Sequence, residues 1–102
     1  MNRRQIDIFQ KNRIEIFEMI LTNANNQLEL LWKFHYETVV HKITFYNVSR
    51  FSIRDLSIPL EVHGIEIIDH SQNGWEKDST YEICDFEDDR VHFFCEYFKM
   101  DE

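Results

Sequence analysis

At 102 residues the chain has the length of one small domain, and it carries a formal charge of −8. Its composition is 43% apolar and 15% aromatic with only two Gly and one Pro, which supplies one core and excludes a disordered chain or flexible linkers. The charge is uneven: residues 1–13 hold four basic side chains against one acidic, whereas residues 61–102 hold three basic against thirteen acidic.

An acidic surface repels phosphate backbones, so nucleic acid is excluded as an expected partner. It suits a basic protein partner, and it is equally an ordinary route to solubility. No apolar run approaches the ~20 residues of a membrane span, and Met1 to Arg13 lacks the apolar core of a secretory signal. Cys84 and Cys95 form neither a disulfide framework nor a metal motif. These features together point to a cytoplasmic protein with reduced thiols and no membrane partner.

In chain order, Asn2 to Arg13 is expected to be a short helix or a disordered tail, with Ile6 and Phe9 on one side. Asn25-Asn26 is a candidate two-residue turn, because Asn tolerates the positive φ that a type I′ hairpin demands. Closing the turn there places Phe17 opposite Phe34, Met19 opposite Trp32 and Leu21 opposite Leu30. The other face then pairs Glu18 with Lys33 and Thr22 with Glu29, as cross-strand energetics favour. Ile16, Ile20 and Leu31 interrupt that polar face and predict that it is partly covered. A helix over 15–22 is the competing reading, but Leu28, Leu30, Trp32, Phe34 and Tyr36 alternate as a strand that needs a partner.

A third strand is predicted from His41 to Val48, and Ser52 to Leu56 fits either a strand extension or a turn. Pro59 belongs in a loop or at a strand start. A fourth strand is predicted from Glu61 to Asp69, with Gly64 inside it as a bulge or close-packing point. His70 to Thr80 reads as the longest loop. Tyr81–Glu87 and Val91–Lys99 read as a final hairpin. A turn at Asp88-Asp89 places Cys84 opposite Phe93, and a turn at Asp89-Arg90 places the two cysteines opposite each other. Either register keeps them close together and inside. The expected fold is therefore mainly β: about six antiparallel strands in one small domain, arranged as a sandwich or a partly closed barrel.

Candidate chemistry is sparse. Asp85, Glu87, Asp88 and Asp89 cluster at the last hairpin, without the spacing or internal Gly of a calcium loop. A solvated hairpin tip is the simpler reading. Asp69 and Asp85 form a carboxylate pair only if their strands are neighbours, and a small metal-dependent or carboxylate-using enzyme would need them to converge with Glu87 and a histidine. The five histidines show no HxH or HExxH spacing, and no phosphate-binding glycine pattern exists, so no cofactor is expected. Trp75, in the long loop, suits either a core cap or a binding anchor.

Phe45-Tyr46-Asn47-Val48-Ser49-Arg50, Gly64 to Asp69, Gly74-Trp75-Glu76, Tyr81-Glu82-Ile83, Asp85 to Asp88 and Phe94-Cys95-Glu96 together resemble the YxiG-like proteins, a group of small bacterial proteins. The resemblance covers about residues 40–97, and Asp89 stands where the group commonly has Gly. It implies an accessory role near toxin systems, and with it an immunity-like protein facing a basic toxin domain; it implies no catalytic residues. The expected function is a non-enzymatic protein-binding module whose contact residues are Trp75, Asp85, Glu87, Asp88 and Asp89. A homo-oligomer in which Leu28–Tyr36 and Val91–Phe98 pair across subunits is a further alternative.

Overall fold

A computed structural model of the chain describes residues 13–85 and 90–101. Nine antiparallel strands occur there: β1 Arg13–Ala24, β2 Gln27–Tyr36, β3 Val39–Tyr46, β4 Ser49–Ile53, β5 Leu60–His63, β6 Ile65–Asp69, β7 Tyr81–Asp85, β8 Val91–Cys95 and β9 Tyr97–Asp101. They form a five-stranded sheet in the order β5-β1-β2-β3-β9 and a four-stranded sheet in the order β4-β8-β7-β6. The expected helix or tail over 2–13 lies outside the described residues apart from Arg13, which opens β1.

The two sheets face each other across one core. Trp32 of the larger sheet meets Phe45 of the same sheet at 5.0 Å and Phe93 of the smaller one at 5.7 Å, each edge-on, and Phe45 meets Phe93 at 4.9 Å. All three rings are fully buried. Each large apolar side chain removed from water in this way contributes about 1.5–3 kcal/mol. The fold is thus a β-sandwich, with nine strands where about six were expected.

The extra strands come from places where the chain changes sheet. The single strand predicted over Glu61–Asp69 is two strands: β5 belongs to the larger sheet and β6 to the smaller, and Gly64 between them takes φ +86°. That left-handed conformation is open to glycine at little cost, so the chain turns the corner in one residue. Asn47, with φ +55°, stands at the corner between β3 and β4, and Glu96 at the corner between β8 and β9. The stretch from Ser52 splits into the end of β4 and an irregular link, and Pro59 directly precedes β5.

The first hairpin closes as predicted, with Asn25 and Asn26 at φ +54° and +64°. Met19 opposes Trp32, Leu21 opposes Leu30, and Glu18 opposes Lys33 with an ion pair of 3.0 Å. The register then shifts, so that Phe34 faces Ile16 rather than Phe17. Phe17 is the extra residue of a bulge, and its ring lies on His35 at 4.5 Å on the outer face. Ile16 is thereby turned into the core beside Ile14, while Ile20 and Leu31 stay on the polar face together with the bulged Phe17.

The last hairpin takes neither predicted register. Tyr81 opposes Cys95, Ile83 opposes Phe93 and Cys84 opposes His92. Ile83, Phe93 and Cys95 are buried in the core, while Glu82, Cys84, His92 and Phe94 lie on the outer face. The two cysteines therefore point to opposite faces instead of sharing the interior. An odd number of residues separates Asp85 from Val91, whereas both predicted turns assumed an even one.

Of the strands invoked for pairing across subunits, β2 lies between β1 and β3 and β8 between β4 and β7, whereas Tyr97 and Phe98 belong to the edge strand β9.

Candidate functional site

The outer face of the smaller sheet carries a cluster of polar and aromatic contacts. Strand alternation brings Glu82 and Phe94 opposite each other there, with His92 next along β8 across from Cys84. Glu82 bridges two imidazoles: its Oε1 lies 2.8 Å from His70 Nε2 and its Oε2 lies 2.6 Å from His92 Nε2. The Asn73 amide Nδ2, 2.8 Å from His70 Nδ1, donates to it, which leaves His70 Nε2–H to donate to Glu82. Burial pushes the Glu82 carboxyl up, but the hydrogen bonds from His70 and His92 outweigh it and hold the group below its ordinary value.

The 70–80 loop folds over this face. It starts with a turn in which Asn73 N–H donates to the His70 carbonyl, and it closes where His70 N–H donates to the Thr80 carbonyl at 2.7 Å. A single 3-10 turn at Lys77–Ser79 ends it. The Trp75 indole stacks on the His70 ring at 4.1 Å and leans toward Phe94 at 6.3 Å. Phe94 is only 7% exposed although it faces outward, while Trp75 remains 50% exposed. Trp75 therefore covers Phe94 with one side of its ring and presents the other to solvent.

Arg50 completes the arrangement. Its guanidinium lies 4.0 Å from the centre of the Phe94 ring and donates to the buried Ser79 hydroxyl. Arg50 has φ +50°, a conformation that non-glycine residues adopt at some cost. Arg50, Gly74, Trp75, Glu76 and Ser79 line an open cavity of about 340 Å³. A second one, of about 550 Å³, lies beside it along Asn47, Glu76, Lys77 and Asp78, with Glu76 shared between the two.

The other sequence-predicted residues lie elsewhere. Asp85 is 2% exposed, on the inner side of β7 opposite Ile65, so its carboxylate does not reach the surface. Glu87, Asp88 and Asp89 lie outside the described residues. Asp69 does sit on the strand next to that of Asp85, but it opposes Tyr81, roughly 13 Å along the sheet from Asp85 at strand spacing. The two aspartates thus do not form a pair. Among the described residues no group of three or more His, Cys, Asp or Glu side chains could hold a metal ion. No helix there is long and apolar enough to cross a membrane.

The sequence reading missed Arg50, His70, Glu82, His92 and Phe94. Glu82, His92 and Phe94 share one signal, the register of the last hairpin: once Ile83 is set opposite Phe93, all three fall on one face. Comparison with protein-family models, curated proteins and solved structures finds no match for this chain.

Proposed function

We propose that this chain is a non-enzymatic protein-binding module whose contact surface is centred on Trp75. The observation that carries this reading is the half-exposed indole held in place on its other face by His70 and Phe94. A large aromatic ring that is already immobilised loses little freedom on binding, and Trp and Arg dominate the energetics of interfaces.

The chemistry around Trp75 favours a cationic side chain from the partner. The free indole face attracts an ammonium or guanidinium group, and Glu76 and Asp78 stand beside it along the two cavities. A balance of three basic to thirteen acidic residues over 61–102 would speed the approach of a basic partner. In this reading Glu87, Asp88 and Asp89 contribute to that attraction, whereas Asp85 acts from inside the sandwich. Resemblance to the YxiG-like proteins extends the proposal to an immunity-like protein that meets a basic toxin domain in the cytoplasm.

Binding to basic toxin domains encoded at the same locus tests the reading. Trp75→Ala is expected to weaken such a complex about thirtyfold or more. Rising salt is expected to slow association, with little effect on dissociation. Binding that ignores both Trp75→Ala and salt would overturn it.

A further inference from the structure

Among the described residues the edge of β1 is only partly covered. β5 pairs with Arg13 to Ile16, and beyond the bulge at Phe17 no other described strand lies on that side of Glu18–Ala24. Seven residues of extended backbone, about 23 Å at strand spacing, thus present on that side a row of N–H and C=O groups that no other described strand pairs. Ile20 and Leu21, on opposite faces of this stretch, are 44% and 48% exposed.

Natural sheet edges are commonly blunted by charged residues or proline. Every other sheet edge here follows that rule: β4 carries Arg50, β5 carries Glu61, β6 carries Glu66 and Asp69, and β9 carries Lys99 and Asp101. The free part of β1 does not. From Met19 to Leu28 the chain has neither a charged residue nor a proline, and Glu18 is already paired with Lys33.

We propose that this edge pairs antiparallel with the same edge of a second copy, around a two-fold axis at Leu21, to join the two larger sheets into one. A second copy is the occupant that the charges favour. Each chain is strongly acidic, so most faces of two copies repel, but this strand is neutral and meets a neutral image of itself. Pairing centred on Leu21 sets Leu21 against Leu21, Ile20 against Thr22, Met19 against Asn23 and Glu18 against Ala24, with no like charges opposed. A basic partner would find no charge here to select it. The inference is independent of the Trp75 surface, which lies on the other sheet.

Sedimentation of the full chain over a wide concentration range reads the outcome. The expected species has twice the 12.5 kDa mass of the chain. The double variant I20K/T22K sets ammonium groups against each other on both sides of the axis and is expected to weaken the dimer at least about tenfold. Both positions are exposed, and circular dichroism checks that the variant folds. In a Cys84→Ser background, Leu21→Cys is expected to give a disulfide-linked dimer on mild oxidation, because directly opposed strand residues lie within disulfide reach, and Val40→Cys is not. A chain that stays at 12.5 kDa throughout, or a dimer that survives I20K/T22K without cross-linking through Leu21→Cys, overturns the proposal.

Discussion

Asn47 Nδ2 donates to Glu96 Oε1 at 3.1 Å, and this bond joins the two corners where the chain passes between sheets at one end of the sandwich. Glu96 N–H also donates to the Tyr46 carbonyl at 3.0 Å. Because Asn47 has φ +55°, replacing it with Ala removes the bond and raises the backbone cost together. Asn47→Ala is expected to destabilise the fold by about 2 kcal/mol, measured by denaturant unfolding. Asn47→Gly keeps the conformation accessible and should cost about half as much.

The cysteines offer a direct reading of the last hairpin. Burial pushes the Cys95 thiol up to about 12, whereas Cys84 lies half-buried on the outer face. A thiol reagent at pH 8 is expected to modify Cys84 in the folded protein and to reach Cys95 only on unfolding. The sign at high pH follows: the folded state holds the Cys95 proton more tightly, so stability falls as pH rises above the ordinary thiol value of 9.0. Equal reactivity of the two thiols would refute the observed register.

Glu82 sets a dependence on acid. Its folded carboxyl lies below the ordinary value of 4.5, so its contribution is complete above pH 4.5 and is lost as pH falls through the lowered folded value. The hydrogen-bonded Asp69 carboxyl, lowered by Ser71, acts in the same direction. Glu82→Gln can accept from only one of the two histidines, and it is expected to cost about 1–2 kcal/mol at neutral pH. The gap between wild type and variant should close as the pH falls below 4.5, a comparison that cancels the part due to Asp69.

The two tryptophans occupy opposite extremes. Trp32 is fully buried and Trp75 half-exposed, so acrylamide is expected to quench one component of the emission and spare the other. Trp75→Phe should remove the quenchable component with little change in stability. Trp32→Phe leaves space in the core and should cost several times more, about 1–3 kcal/mol.

How much of this was legible in the sequence depends on where the local signal was complete. The Asn25-Asn26 hairpin was readable because both turn residues tolerate positive φ and each strand sorts its own apolar residues. The β7-β8 register was not, since Phe93, Phe94 and Cys95 are consecutive apolar residues and alternation cannot decide which of them faces in. That ambiguity hid the Glu82, His92 and Phe94 cluster. Asp85 was read as exposed because charge usually marks a surface, yet its strand position turns it inward. Arg50 gave no signal, since its place over Phe94 depends on a contact between β4 and β8.

The bulge at Phe17 makes the first strand a counting device. One surplus residue sets the phase of everything before it, so that Ile14 and Ile16 face in while Glu15 pairs outward with His35 at 3.5 Å. Drawing Phe17 into the ladder opposite Phe34 would invert the whole upstream segment, carrying Ile14 and Ile16 to water and Glu15 into the core, whereas deleting Phe17 would remove the bulge and keep Ile16 opposite Phe34. Most substitutions at Phe17 leave the count intact. At this point of the chain the frame is held by a residue that stays out of the ladder and whose own ring lies outside the sandwich.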